Sequence, residues 1–156
     1  MSPSRPSYRP SFSSYSFGPG PLTPAVRTLI AANVVGFLLT WVVPELTLRL
    51  GLRPADVFEG FAVWQPVTYM FLHGGLSHIL FNMLGLWMFG VQLERMWGTA
   101  YFVRYYAVAG IGAALTTLLA SLVPGSVGDL LYVSLTVGAS GAIYGLLLAF
   151  AVYYPD

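Results

Sequence analysis

The fold of this chain is decided by residues 73–95, HGGLSHILFNMLGLWMFGVQLER. Residues 76–93 of this stretch are mostly apolar and are nearly as long as the roughly 20 residues that cross a bilayer as a helix. His78 and Asn82 interrupt the apolar run four residues apart, so they lie on one face of the predicted helix. Polar side chains are costly against lipid, and we therefore expect both to point into the interior of a helical bundle.

The composition of the whole chain agrees with a membrane protein. Of its 156 residues, 56% are hydrophobic and 8% are charged, and the mean hydropathy is +0.71. Soluble domains carry about 25% charged residues. This composition excludes an ordinary soluble domain, a disordered protein and a nucleic-acid binder with a basic face. The absence of cysteine excludes disulfides and thiol catalysis.

Three more apolar segments accompany this one, at residues 25–43, 100–123 and 130–154. The last contains Gly138-Ala139-Ser140-Gly141, which favours an extended or re-entrant backbone followed by a short helix that begins near Ser140. Such backbone is tolerated at membrane depth only within protein or beside a water-filled cavity. The sequence therefore predicts an all-α polytopic membrane protein with four transmembrane helices.

The remaining segments are expected to flank the spans. Residues 1–24 are rich in proline and serine and predict a flexible tail. Residues 44–72 mix charged and aromatic residues and predict a partly helical segment at the membrane interface. Five of the seven arginines lie on the side of the N-terminus, which predicts a cytoplasmic N-terminus. Glu94 and Arg95 are expected to tie the second span to the third or the fourth.

Ser140, His78 and Asn82 are the candidate functional residues. Small neighbours would expose the Ser140 hydroxyl at a helix start, where free N–H groups and the positive end of the dipole lie. His78 and Asn82 could donate two hydrogen bonds to a developing negative oxygen. The residues alone leave other interpretations open: His78 and Asn82 could form a structural pair between helices, and the glycines around Ser140 could be a packing motif.

His73 lies at the mouth of the second span, where a hydrogen bond to the preceding loop is as plausible as a chemical role. His73 and His78 are five residues apart with no acidic residue between them, a spacing that suits no common metal motif. We expect neither a metal nor a cofactor.

Taken together, residues 73–83, 93–98 and 138–145 resemble the motifs of the rhomboid family of intramembrane serine proteases, in the family's order. The resemblance covers residues 25–156, and it implies a rhomboid-like helical bundle with four of six expected transmembrane helices, incomplete at its C-terminal end. It also implies a role for each matching residue: Ser140 is the nucleophile, His78 and Asn82 form the oxyanion hole, Tyr144 packs on the catalytic histidine, and Gly138, Gly141 and His73 support substrate and site.

The sequence departs from the family at two points. Gln65 follows Trp64 where the family has an arginine, which leaves the anchoring of the interfacial loop open. The family's general-base histidine lies on its sixth helix, whereas the histidines of this chain, His73 and His78, match other positions. The base is therefore expected beyond residue 156, and this chain alone is expected to be inactive, as a truncated record or a truncated product.

The resemblance implies an endopeptidase that cleaves transmembrane segments of membrane proteins. Its expected partners are transmembrane substrates and the lipid bilayer, not nucleic acid, and a bacterial inner membrane is the expected location. The oligomeric state is left open. An alternative function is that of a non-proteolytic rhomboid-like protein that binds client transmembrane helices. A channel or transporter module is a third interpretation with less support, because it requires paired acidic residues inside the spans.

Overall fold

The computed structural model describes residues 18–155, and these residues fold into helices without a β-strand. The all-α prediction is confirmed. The α-helices, in chain order, are α1 Pro24–Val42, α2 Glu45–Leu50, α3 Pro54–Glu59, α4 Gln65–Thr68, α5 Leu76–Gly85, α6 Val91–Trp97, α7 Thr99–Ala120, α8 Ser126–Val133 and α9 Ser140–Tyr153. A 3₁₀ turn at Tyr69–Phe71 follows α4, and a π-helical stretch at Leu86–Gly90 joins α5 to α6.

Three helical segments in the described part of the chain are long and apolar enough to cross a membrane: Pro24–Val42, Leu76–Trp97 and Thr99–Ala120. The fourth predicted segment gives rise to α9, which begins at Ser140 after an extended stretch, as expected. The helix α8, at Ser126–Val133, was not predicted. With 14 residues, α9 is about 21 Å long, shorter than the roughly 30 Å of a hydrocarbon core. It is buried on one face, through Ala142, Ile143, Leu146 and Ala149.

Glu94 joins the starts of two helices to the end of the second span. Its carboxylate is only 3% exposed and accepts the backbone N–H groups of Ala25 (2.9 Å) and Val26 (3.0 Å) in the first turn of α1. The hydroxyls of Thr23 and Thr99 also donate to it, the latter at 2.7 Å. A negative charge at a helix N-terminus is favoured by the macrodipole. The predicted tie to the third span is confirmed through Thr99, but the main tie runs to α1.

The predicted tail, residues 1–24, lies mostly outside the described residues. Its last part, residues 18–23, runs beside the end of the second span. Arg95 donates hydrogen bonds to the carbonyls of Pro19 (2.6 Å) and Pro21 (3.0 Å), and the Trp87 indole donates to the carbonyl of Gly20 (3.1 Å). The chain is thus fixed before α1 begins.

The short helix α9 packs most closely against α7, through glycines. A Cβ atom placed on Gly141 would lie 2.5 Å from the Cβ of Ala113, and one on Gly145 would lie 2.5 Å from the Cβ of Ala109. The Tyr105 hydroxyl also donates to the carbonyl of Gly145 at 2.9 Å. Small residues let the two backbones approach, so Gly141 and Gly145 act as packing residues between α7 and α9.

The α7–α9 contact predicts the effect of a larger residue at Gly145. We expect Gly145→Leu to lower the free energy of unfolding by about 1–3 kcal/mol, because the added atoms must force α9 away from Ala109. Gly112→Leu is the matched control, since a Cβ there meets no atom within 4 Å. Unfolding in mixed micelles, followed by circular dichroism, measures both variants, and equal losses would contradict close packing at Gly145.

The Glu94 contacts predict the effect of removing its charge. We expect Glu94→Gln to destabilise the fold by about 1–3 kcal/mol, because an amide NH₂ group cannot accept the backbone N–H groups of α1 and leaves buried donors unpaired. Glu45→Gln, at an exposed carboxylate in α2, is the control and should change little. The same unfolding measurement compares them, and a Glu94→Gln protein as stable as the control would refute this role of Glu94.

Candidate active site

Ser140 lies at the first residue of α9, as the sequence predicted. The preceding residues 134–139 are not helical, and Gly138 has a φ of +123°, a conformation that residues with a side chain rarely adopt. No side chain caps the start of α9. The half-buried Ser140 hydroxyl therefore lies beside free backbone N–H groups at the positive end of the helix dipole.

Two backbone contacts hold the segment that leads to Ser140. Leu52 and Thr136 form an isolated antiparallel bridge, with N···O distances of 2.9 and 2.8 Å. The N–H of Gly138 donates to the carbonyl of Tyr69 at 2.9 Å. The interfacial segment therefore fixes the position of the α9 start.

Tyr69 reaches a second element with its side chain. Its buried hydroxyl donates to the carbonyl of Gly110 in α7 at 2.7 Å. The same hydroxyl lies 3.2 Å from where a Cβ on Gly141 would be. Tyr69 therefore connects the segment before Ser140 with the α7–α9 contact. Sequence reasoning missed this residue, and nothing in the sequence distinguishes it from the nine other tyrosines.

His78 and Asn82 meet the segment before Ser140 at Gly138. A Cβ on Gly138 would lie 2.8 Å from Cε1 and Nε2 of His78 and 3.7 Å from Nδ2 of Asn82. The N–H of Gly74 approaches Nδ1 of His78 at 3.4 Å, so in the neutral ring the proton belongs on Nε2, towards Gly138. The Asn82 Nδ2 atom is buried and has no partner among the described residues. Two N–H donors are thus brought beside the loop of the nucleophile candidate.

His73 contacts His78 directly. The two rings are arranged edge to face, with centroids 5.1 Å apart. His73 is 5% exposed, and neither ring nitrogen has a partner among residues 18–155, so the hydrogen bond to the preceding loop considered from the sequence is absent there. Burial, together with the nearby His78, lowers the pKa of His73 to about 4, which leaves the ring neutral at pH 7.

Tyr144 is not buried with His73 and Asn82. It follows Ser140 by one helical turn and is 71% exposed, and the described residues cover little of its ring. Leu148 and Val152 continue the same exposed face of α9. Gly141 faces α7 and acts there as a packing residue, whereas Gly138 lies against the candidate site.

The interfacial segment is partly helical, as predicted, and Gln65 anchors it. Gln65 is 2% exposed, and its side-chain oxygen accepts the backbone N–H of Arg53 at 3.0 Å while its NH₂ group donates to Asp56 at 3.4 Å. Arg53 forms an ion pair with Asp56, and its guanidinium holds the pKa of that carboxyl below the usual value. Trp64 donates to the carbonyl of Arg49 at 2.9 Å. The amide of Gln65 thus anchors the loop without an arginine.

Comparison with known proteins identifies the family of the chain. The family model of the rhomboid domain matches residues 60–156. The chain belongs to the rhomboid family. It is 37% identical over 103 residues to the rhomboid protease GluP of Bacillus subtilis, covering 66% of this chain and 18% of that protein.

Two further relatives come from different organisms. The chain is 36% identical over 95 residues to the rhomboid protease AarA of Providencia stuartii, covering 58% of this chain and 34% of the relative. It is 34% identical over 105 residues to RHOMBOID-like protein 4 of Arabidopsis thaliana, covering 66% of this chain and 24% of the relative. The matched stretch thus spans well under half of each of these relatives. Family membership and the apolar helices identify an integral membrane protein.

The contact at Gly138 predicts that this position tolerates no side chain. Gly138→Ala combines an unfavourable φ with a Cβ that collides with the His78 ring, and we expect it to lose about 1–3 kcal/mol more stability than Gly125→Ala. Gly125 is the matched control because its φ is +120° and its surroundings are open. Chemical unfolding of both variants measures the difference, and equal losses would show that His78 does not pack against Gly138.

Proposed function

We propose that this chain carries the nucleophile and the oxyanion hole of an intramembrane serine endopeptidase. The observation that supports this most directly is the approach of His78 and Asn82 to Gly138, two residues before Ser140. A structural pair would satisfy its own donors, whereas Nδ2 of Asn82 has no partner among the described residues. A buried free donor near a half-buried serine at a helix start suits an oxygen that becomes negative only during the reaction.

The reaction begins with attack of the Ser140 oxygen on a peptide carbonyl of a locally unwound transmembrane segment. As the bond from Oγ to the carbonyl carbon forms, the Ser140 proton passes to a general base, and the carbonyl oxygen becomes an oxyanion. Nε2–H of His78, the Asn82 amide and the N–H of Ser140 stabilise that oxyanion. The C–N bond then breaks, the base returns the proton to the leaving amine, and water hydrolyses the acyl-enzyme.

The general base is assigned to a histidine outside residues 1–156, as the family resemblance implies. His73 is a poor candidate, because its low pKa makes it a weak base at neutral pH. His78 is needed as a donor, and its Nδ1 is already approached by Gly74. Tyr144 begins the exposed face of α9. The helix that carries the general-base histidine would pack on this face, and its imidazole would lie against Tyr144.

Transmembrane protein segments are the proposed substrates, and the bilayer is the medium in which they reach the site. A bacterial inner membrane is the proposed location, and the distribution of arginines supports a cytoplasmic N-terminus. The rival function is a non-proteolytic relative that binds client helices through the same surfaces. Retention of Ser140 at a helix start favours the protease, because binding alone needs no hydroxyl there.

The nucleophile assignment is tested by cleavage of a labelled transmembrane substrate by the full-length protein in proteoliposomes. We expect Ser140→Ala to abolish cleavage, because no other group replaces the attacking oxygen. Ser126→Ala, at the start of α8, is the matched serine control and should cleave at the rate of the unchanged protein. Equal cleavage by Ser140→Ala and the control would reject Ser140 as nucleophile, and substrate binding without cleavage by the unchanged protein would favour the rival function.

The oxyanion assignment predicts a change in kcat. We expect Asn82→Ala to lower kcat roughly 10- to 1000-fold with little change in KM, because the amide acts on the transition state. Asn33→Ala removes the other buried asparagine, whose NH₂ group donates to Leu29 within α1, and should affect stability more than kcat. An unchanged kcat for Asn82→Ala would leave Asn82 a packing residue.

A further inference from the structure

The backbone of Tyr69 lies at the junction between the two sides of the candidate active site. The residue follows α4, begins the 3₁₀ turn Tyr69–Phe71 and is 3% exposed. Its carbonyl accepts the N–H of Gly138 at 2.9 Å and the N–H of Leu72 at 3.2 Å. Gly138 leads to the nucleophile candidate, and Leu72 leads through His73 to the start of α5. One carbonyl therefore holds the chain on both sides of the site.

The side chain of Tyr69 fixes the same residue to α7. Its hydroxyl donates to the carbonyl of Gly110 at 2.7 Å. A Cβ on Gly141 would lie 3.2 Å from that hydroxyl, so the glycine that follows Ser140 leaves the space that the hydroxyl needs. The helix α7 has 22 residues, and α9 packs along it. The carbonyl that holds Gly138 is thus placed relative to a long helix of the bundle.

The position of Gly138 sets the distance between the donors of the proposed oxyanion hole. A Cβ on Gly138 would lie 3.7 Å from Nδ2 of Asn82, and Ser140, whose backbone N–H is another of the donors, is the second residue after Gly138. Oxyanion donors stabilise a transition state only when they point at the same oxygen. A shift of residues 138–140 would move the Ser140 N–H away from the Asn82 amide, and such small displacements slow enzymatic reactions strongly.

We propose that Tyr69 is a positioning residue: its carbonyl and its hydroxyl together hold the N–H of Ser140 in place beside the Asn82 amide. This inference rests on the proposed function. Within the described part of the chain, Tyr69 makes no hydrogen bond with Ser140 or Asn82. It acts through the backbone of Gly138, and the hydroxyl bond to Gly110 keeps its own backbone in place.

Tyr69→Phe in the full-length protein tests the proposal, because it removes the hydroxyl and keeps the ring. We expect kcat for a transmembrane substrate in proteoliposomes to fall roughly 10- to 100-fold with little change in KM, because the displaced N–H acts on the transition state. Tyr105→Phe is the matched control, since the Tyr105 hydroxyl donates to the carbonyl of Gly145 across the same α7–α9 contact. Both acceptor carbonyls lie inside helices, so the two variants should lose similar stability while only Tyr69→Phe lowers kcat.

A double-mutant cycle with Asn82→Ala separates positioning from a loss of folded protein. Without the Asn82 amide there is no donor to align with the Ser140 N–H, so Tyr69→Phe should then lower kcat by less than about threefold. A loss of folded protein would instead lower kcat by the same factor with and without Asn82. Equal factors in the two backgrounds, or a kcat for Tyr69→Phe equal to that of Tyr105→Phe, would overturn the proposal.

Should Tyr69→Phe fail to fold, p-aminophenylalanine in place of Tyr69 decides instead, because its amino group keeps a weaker bond to Gly110. It should lower kcat by a smaller factor, and only in the protein that retains Asn82. No loss of kcat, or an equal loss without Asn82, would reject the positioning role. Failure of the proposed function is a different result: Ser140→Ala would then cleave as fast as the unchanged protein, whereas failure of the Tyr69 proposal leaves cleavage dependent on Ser140.

Discussion

The backbone of residues 134–139 must find hydrogen-bond partners, and this requirement governs the candidate site. Non-helical backbone inside a membrane protein is costly wherever its N–H and C=O groups are unpaired. Here Thr136 pairs with Leu52, and the N–H of Gly138 pairs with the carbonyl of Tyr69. These contacts determine where α9 begins, and therefore where the Ser140 hydroxyl lies relative to His78 and Asn82.

A second polar centre, at Glu94, organises the opposite end of the bundle. Its carboxylate is buried, yet it accepts hydrogen bonds from the first turn of α1 and from Thr99 at the start of α7. Because these partners belong to the starts of two helices, one side chain sets where both spans begin.

The interfacial segment connects the candidate site with the rest of the fold. Gln65 holds the segment through Arg53 and Asp56, and Tyr69 at its end contacts both Gly138 and Gly110. The absence of the family arginine at position 65 therefore does not leave this loop unanchored. A shorter amide makes the necessary contacts because its two polar atoms point at a backbone donor and a carboxylate that are already close together.

The sequence by itself determined that the chain is an α-helical membrane protein and where its long apolar helices lie, because hydrophobic length and glycine breaks are local properties of the chain. It also put His78 and Asn82 on one face and Ser140 at a helix start. Only the tertiary structure decided that this face meets Gly138, that Glu94 caps α1, and that Tyr69 and Gln65 support the site. Tyr144 is left exposed among the described residues. These features depend on contacts between residues up to 71 positions apart, and such pairings are set by three-dimensional packing, which no local pattern encodes.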